Sequence, residues 1–101
     1  MKPFVVTSHA TRDLNQIGDY LAEESIEAAY RVLAGIEKAI SKLAKSPGIG
    51  HFREDLTDKP LKFFQVYSYL IVYRFETKPL EIVRVLHVSR DIEALLNIAL
   101  E

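Results

Sequence analysis

The sequence contains no cysteine. That excludes disulfides, thiolate metal centres and cysteine nucleophiles, and it fits a reducing cytoplasm. Long apolar runs are missing as well. No stretch approaches the roughly 20 residues a membrane span requires. The short run Phe4-Val5-Val6, behind the single early cation Lys2, predicts no export leader. A basic excess is also absent: thirteen Lys and Arg stand against fourteen Asp and Glu, for a net charge of -1. Residues 1–50 carry six of each sign, and residues 51–101 carry seven basic and eight acidic. Proteins that hold nucleic acid by its phosphates carry a clear positive surplus, so direct sequence-specific nucleic-acid binding is not expected. No glycine-rich phosphate loop or Ser-His-Asp pattern occurs. His9, His51 and His87 lack the spacing of metal ligands. Neither a metal nor a cofactor is expected.

The chain that remains has 101 residues, 49% of them apolar. This is one domain's worth, with material for one core, so residues 1–101 are read as a single domain. Val5-Val6 reads as a short strand, after which Thr7 and Ser8 offer capping hydroxyls. Ala10, Leu14, Ile17 and Leu21 then recur at helical spacing, interrupted by Gly18. Ser25 caps a second helix, whose stripe includes Ala29, Val32, Ile36, Ile40 and Leu43. Lys38, Lys42 and Lys45 lie toward its negative end, and Pro47-Gly48 stops it. A long loop, 47–60, leads to strands predicted over 62–66, 69–75 and 80–88, with a turn at Thr77-Lys78. A final helix is expected over 91–100. The order β-α-α-β-β-β-α predicts an α+β domain, a helical hairpin packed on a small, mainly antiparallel sheet. Leu14, Ile17, Leu21, Val32, Ile36, Ile40, Leu43, Val72, Val83 and Val85 should be buried.

If the turn is centred on Thr77-Lys78, Tyr73 faces Ile82, Ile71 faces Arg84 and Tyr69 faces Leu86. The other face pairs Arg74 with Glu81, Val72 with Val83, Leu70 with Val85 and Ser68 with His87. That second set is aliphatic and is expected beneath the helices. The set holding Tyr69, Tyr73 and Arg84 is expected to be uncovered.

The stretch Tyr69-Leu70-Ile71-Val72-Tyr73-Arg74-Phe75, then Glu81-Ile82-Val83-Arg84-Val85-Leu86-His87, closed by Ser89-Arg90-Asp91, resembles the carboxyl-terminal signature of the RelE/ParE superfamily of toxins, the ParE (plasmid stabilisation) branch in particular. Ser46-Pro47-Gly48-Ile49-Gly50 is similar to the family's helix-ending turn, and Leu61-Lys62-Phe63-Phe64-Gln65-Val66 to its next strand. Asp13-Leu14-Asn15-Gln16-Ile17-Gly18-Asp19-Tyr20 resembles its first helix. The resemblance implies a cytoplasmic toxin of a type II toxin–antitoxin system, neutralised by a cognate antitoxin encoded beside it. ParE-branch toxins poison DNA gyrase; RelE-branch relatives cleave messenger RNA on the ribosome. The fold alone does not choose between them.

A metal-free ribonuclease needs an acid, a base and cations for the phosphorane charge. Lys62, Arg84, His87 and Arg90 are the candidates here, with Glu54 a conceivable third member for His87 and Arg84. Leu96 stands where the RelE type places a tyrosine. His87 is read first as a strand-end residue bonding near Ser68, and Arg84 equally as a cation over Tyr69 or Tyr73. Near neutrality and Leu96 favour the gyrase inhibitor, which acts by protein contact and is not an enzyme. Its contact candidates are Tyr69, Tyr73, Arg84, Arg90 and Leu96, with the tail from Ser89 to Glu101. An endoribonuclease and a non-toxic antitoxin-binding relative remain the alternatives.

Overall fold

The computed structural model describes residues 3–99. Strand β1 (Phe4–Val6) leads into helices α1 (Ser8–Ala22) and α2 (Ile26–Lys45). Strands β2 (Lys62–Val66), β3 (Tyr69–Arg74) and β4 (Leu80–His87) follow, then helix α3 (Ile92–Ala99). The expected end of α3 at Leu100 lies outside the described residues. The sheet order is β1-β4-β3-β2, with β2, β3 and β4 antiparallel and β1 parallel to β4. The α+β architecture expected from the sequence is therefore the one observed.

The capping residues start both helices of the hairpin. Thr7 Oγ1 accepts from Ala10 N at 3.3 Å, and Ser25 Oγ accepts from Ala28 N at 3.1 Å. The Thr7 hydroxyl also lies 3.0 Å and 3.1 Å from the carbonyl oxygens of Ile82 and Val83, to which it donates. The start of α1 is thus tied to the middle of β4.

The expected register of the last hairpin holds only beside its turn. Arg74 faces Glu81, with an ion pair at 3.1 Å, and Tyr73 faces Ile82. A β-bulge then makes Val83 an extra residue, and the pairing shifts by one. Val72 faces Arg84, Ile71 faces Val85, Leu70 faces Leu86 and Tyr69 faces His87. The faces are the reverse of the expected ones, even beside the turn, where the register holds. Tyr69, Ile71 and Tyr73 lie beneath the helical hairpin, in a cluster with Ile36, Ile40, Leu43, Ile82 and Val85. Leu70, Val72, Val83 and Leu86 face the other way, where Ile92 and Leu96 of α3 cover them, beside Leu61 and Phe63. The tyrosine face is not an uncovered one, because α3 closes the aliphatic face and the hairpin closes the other.

Of the residues expected in the core, Ile36, Ile40, Leu43, Val72, Val83 and Val85 are buried. Leu14, Ile17, Leu21 and Val32 are only half-buried. Two grooves flank α1 and leave these side chains partly open. One, of about 270 Å³, runs beside β1 past Leu14. The other, larger, lies between α1 and the far end of β4 and touches Ile17, Leu21 and Val32.

Candidate functional site

The larger cleft has a volume of about 590 Å³. Its α1 wall carries Asp13, Gln16, Ile17, Tyr20 and Leu21. Opposite stand Tyr67, Ser68 and Tyr69 from the β2–β3 turn, with Val85, Leu86, His87, Ser89 and Arg90 from the end of β4. The lining combines apolar side chains such as Ile17, Leu21, Val32 and Val85 with polar ones such as Asp13, Gln16, His87 and Arg90, the mixture common in binding clefts.

The cleft exists because β1 is shorter than the strand it pairs with. β1 covers β4 only along Leu80, Glu81 and Ile82. Beyond that point Thr7 N donates to Ile82 O at 3.1 Å, and the outer edge of β4 is then met by a side chain instead of a strand. Asp13 Oδ2 accepts from Val85 N at 3.0 Å, and the same carboxylate holds Arg84 through two bonds of 2.7 Å and 2.9 Å. Both partners are buried, with side-chain exposures of 11% for Arg84 and 7% for Asp13. The bulge makes this possible, since it places Arg84 and Val85 so that a guanidinium and an N–H meet one carboxylate. Asp13 therefore acts as a plug at the inner end of the cleft.

Groups two residues apart on a strand point to the same side. Val85 N points outward to Asp13, whereas Val88 N points inward to Ser68 O at 2.8 Å. Hence the Val85 carbonyl and the His87 N–H also point outward, into the cleft. The ladder to β3 uses the inward side of β4, so neither group takes part in it. His87 Nδ1 accepts from Ser89 N at 3.0 Å, with Ser89 Oγ at 2.8 Å. The neutral ring therefore carries its proton on Nε2. Its edge meets Tyr69, with centroids 5.2 Å apart and planes at 90°. Burial raises the Tyr69 phenol above its ordinary range, and the neighbouring Tyr20 adds to this. Arg90 is exposed at the rim, with no acidic partner within ion-pair distance among the described residues.

The structure separates the residues singled out from sequence. His87 and Arg90 share the cleft, and Tyr69 forms part of its wall. Arg84 is held in the ion pair with Asp13 instead of lying over a tyrosine. Lys62 is at the opposite end of the sheet, where it pairs with Tyr73 across the strands. Its Nζ sits 4.9 Å from the Phe52 ring centre and 5.1 Å from that of Phe75. Glu54 is exposed on the loop before β2 and does not line the cleft. Tyr73 is fully buried, its hydroxyl donating to Pro47 O at 2.7 Å and accepting from Gly50 N at 3.0 Å. Leu96 is likewise fully buried, against the aliphatic face. Neither Tyr73 nor Leu96 offers a surface for a partner, and His87 bonds Ser89, not Ser68.

Sequence reasoning passed over Asp13 and Tyr67. Asp13 lies between Ala10 and Ile17 on the apolar face of α1, and a carboxylate in that stripe is itself a signal. Tyr67 gives no signal in the sequence, because its role rests on a backbone conformation.

The comparisons with known proteins point one way. The model of the ParE toxin of the type II toxin–antitoxin system parDE matches residues 4–92. The chain is 33% identical over 85 residues to "Putative toxin Y4kP" of Sinorhizobium fredii (strain NBRC 101917 / NGR234), covering 84% of this chain and 86% of that protein. It shares its fold with a solved structure described as the "Chromosomal ParDE TA system from P. aeruginosa", at a TM-score of 0.67 and 20% identity, over 83% of this chain and 92% of that one. With its bulged β4, its helical hairpin and its carboxyl-terminal signature, the chain belongs to the ParE toxin family of type II toxin–antitoxin systems.

Proposed function

We propose that this protein is a toxin that inhibits DNA gyrase by protein–protein contact in the cytoplasm and is neutralised by a cognate antitoxin. The observation that supports contact over RNA cleavage is the scattering of the basic candidates. An RNA-cleaving site must bring an acid, a base and at least one free cation around a single phosphate. Here Lys62 lies over two phenyl rings at one end of the sheet, while His87 and Arg90 lie at the other. Arg84, between them, spends its charge on Asp13. The net charge of -1 adds no long-range attraction to a polyanion. A contact inhibitor needs none of this. It needs an exposed surface, which Ser89, Arg90 and Asp91 and the exposed side of α3 supply.

The test uses purified protein in two assays, gyrase supercoiling with cleavage-complex accumulation and mapping of messenger RNA cuts on ribosomes. Inhibited supercoiling with intact RNA is the expected result. Codon-specific cuts lost in Arg90→Ala or His87→Ala, with gyrase unaffected, would replace the reading by a RelE-type endonuclease. Inactivity in both would make the protein a non-toxic relative.

A further inference from the structure

The solvent face of α2 carries a line of cations that the packing of this chain does not require. Arg31, Lys38, Lys42 and Lys45 are all exposed. At 3.6 residues per turn they fall within about 60° of one another, along roughly 21 Å of helix. Residues 28–45 contain one acidic residue, Glu37, and it faces the groove beside Leu14 instead. Among the described residues, none of the four cations has an acidic partner within ion-pair distance.

Two features separate this line from an ordinary solvated face. A helix that carries lysine for solubility gains support from an acid one turn before it. Here the residues four before Lys38, Lys42 and Lys45 are Ala34, Lys38 and Ser41. Lys38 and Lys42 therefore repel each other, with no neighbouring acid to offset it. The helix dipole favours Lys42 and Lys45 in the last turn, but it does not account for Lys38 or Arg31. The second feature is segregation. Of the acids in the helical hairpin, Asp13 is buried against Arg84, while Asp19, Glu23, Glu24 and Glu27 gather at the tip. Glu27 ends the line one turn before Arg31. Leu33 of α2 packs over Gly18 of α1, so the lysine end of α2 lies beside the start of α1. The exposed residues there are Ser8, His9, Thr11, Arg12 and Asn15, none of them acidic. The nine other basic residues of the chain stand against fourteen acidic ones, and the near-neutral total conceals one positive face.

We propose that this face of α2 binds the sugar–phosphate backbone of duplex DNA, without reading its sequence, while the protein is held on its target. DNA fits the face better than an acidic protein does. Protein partners anchor side chains in pockets, and neither cleft beside α1 is lined by these cations. A regular row of point charges on a convex helix suits a regular row of phosphates, which lysine contacts without demanding a fixed geometry. The small side chain of Ala34 leaves room for a backbone to approach, and the exposed Ser41 hydroxyl is a further phosphate donor. A net charge of -1 gives no long-range pull, but at contact, within a Debye length of about 10 Å in 0.1 M salt, the local excess governs. Four cations alone give a weak contact, so the face is of use beside a protein that already holds DNA. The inference rests on the gyrase reading for the source of that duplex, and it adds α2 to the surface of Ser89, Arg90, Asp91 and α3.

The experiment titrates the purified full chain into a fluorescent DNA duplex of mixed sequence at several salt concentrations, beside the gyrase supercoiling assay. The wild type should bind at low salt, with log K falling against log [salt] at a slope of about -3 to -4, roughly -0.9 for each phosphate contact. The triple variant Lys38→Ala, Lys42→Ala, Lys45→Ala keeps helix propensity. It should lose about tenfold or more in DNA affinity with an unchanged circular-dichroism spectrum, and about tenfold more of it should be needed to inhibit gyrase. Arg53→Ala, on the α3 side of the sheet, should bind DNA like the wild type. No binding at low salt, or equal binding by the triple variant, would overturn the inference, and gyrase inhibition in the same samples would leave the proposed function standing. Affinity lost in Arg53→Ala and kept in the triple variant would move the nucleic acid to the other face of the sheet and overturn it as well. Equal displacement of the duplex by poly-glutamate at matched charge would assign the face to an acidic protein, again overturning the inference. Lysine-dependent DNA binding without gyrase inhibition would support the DNA surface and overturn the proposed function.

Discussion

Tyr69 and Tyr73 lie four residues apart on one face of β3, beneath the same helices, and they end in opposite surroundings. The Tyr73 hydroxyl is sealed between Pro47 and Gly50, with both of its hydrogen-bonding functions used. A Cβ at Gly50 would strike that hydroxyl and stand 2.9 Å from Cε1, so the loop after α2 is moulded on this side chain. The Tyr69 ring meets His87 edge-on and borders an open cleft. One end of the sheet is closed by its own chain. The other leaves backbone groups, a strained tyrosine and a cation facing solvent. The difference teaches where to look for function, since groups left to solvent at one end are free to meet another molecule and those sealed at the other are not.

The sharpest test of the boundary between the ends is Asp13→Ala. It would leave a buried guanidinium unpaired and the Val85 N–H unsatisfied, a loss of about 3–5 kcal/mol, measured by urea unfolding. A loss below about 1 kcal/mol would mean that Asp13 does not hold α1 to β4. Tyr73→Phe tests the closed end alone. It removes two hydrogen bonds and strands the buried Gly50 N–H, for an expected loss of about 1–3 kcal/mol, with no change in partner binding.

The smallest effect is alkaline. Burial raises the phenols of both tyrosines above the ordinary tyrosine value, with the Gly50 N–H offsetting part of the shift at Tyr73 and the neighbouring Tyr20 adding to it at Tyr69. A folded pKa above the unfolded one favours the protonated native state. The stability this gives is complete below about pH 10 and is lost as pH rises through the folded values. Urea midpoints measured from pH 8 upward should fall in that window, and Tyr73→Phe should reduce the fall. A flat profile in the wild type would contradict the sealed position of Tyr73.

Much of this fold was legible in the sequence because local signals agreed with one another. Thr7 and Ser25 cap where their positions before apolar stripes said they should, and the strands begin where β-branched and aromatic residues gather. The register beyond Val83 was not legible. Alternation along a strand says which residues share a face, but one inserted residue exchanges the faces, and nothing local marks Val83 as the insertion. The bulge goes with a long-range contact, Asp13 to Arg84 and Val85 across the sheet edge, which no local pattern announces. The candidate site suffered in the same way. Arg90 and His87 line one cleft, whereas Tyr73 and Leu96, expected on a surface, are closed off by α2, α3 and the loop. Tyr67 could be found only from its φ of 53°, in the left-handed region that suits glycine, and from the glycine beneath its ring, Gly35.

The most direct measurement pairs stability with antitoxin affinity for two single variants, one at each end. Tyr67→Gly should leave the melting temperature at or above that of the wild type and weaken binding by about tenfold or more. Tyr73→Phe should lower the melting temperature by several degrees, about 4–8 °C for each kcal/mol lost in a domain of this size, and leave affinity unchanged. The opposite pattern, in which Tyr67→Gly unfolds the protein while Tyr73→Phe abolishes binding, would contradict the division of this molecule into a closed end and a recognition end.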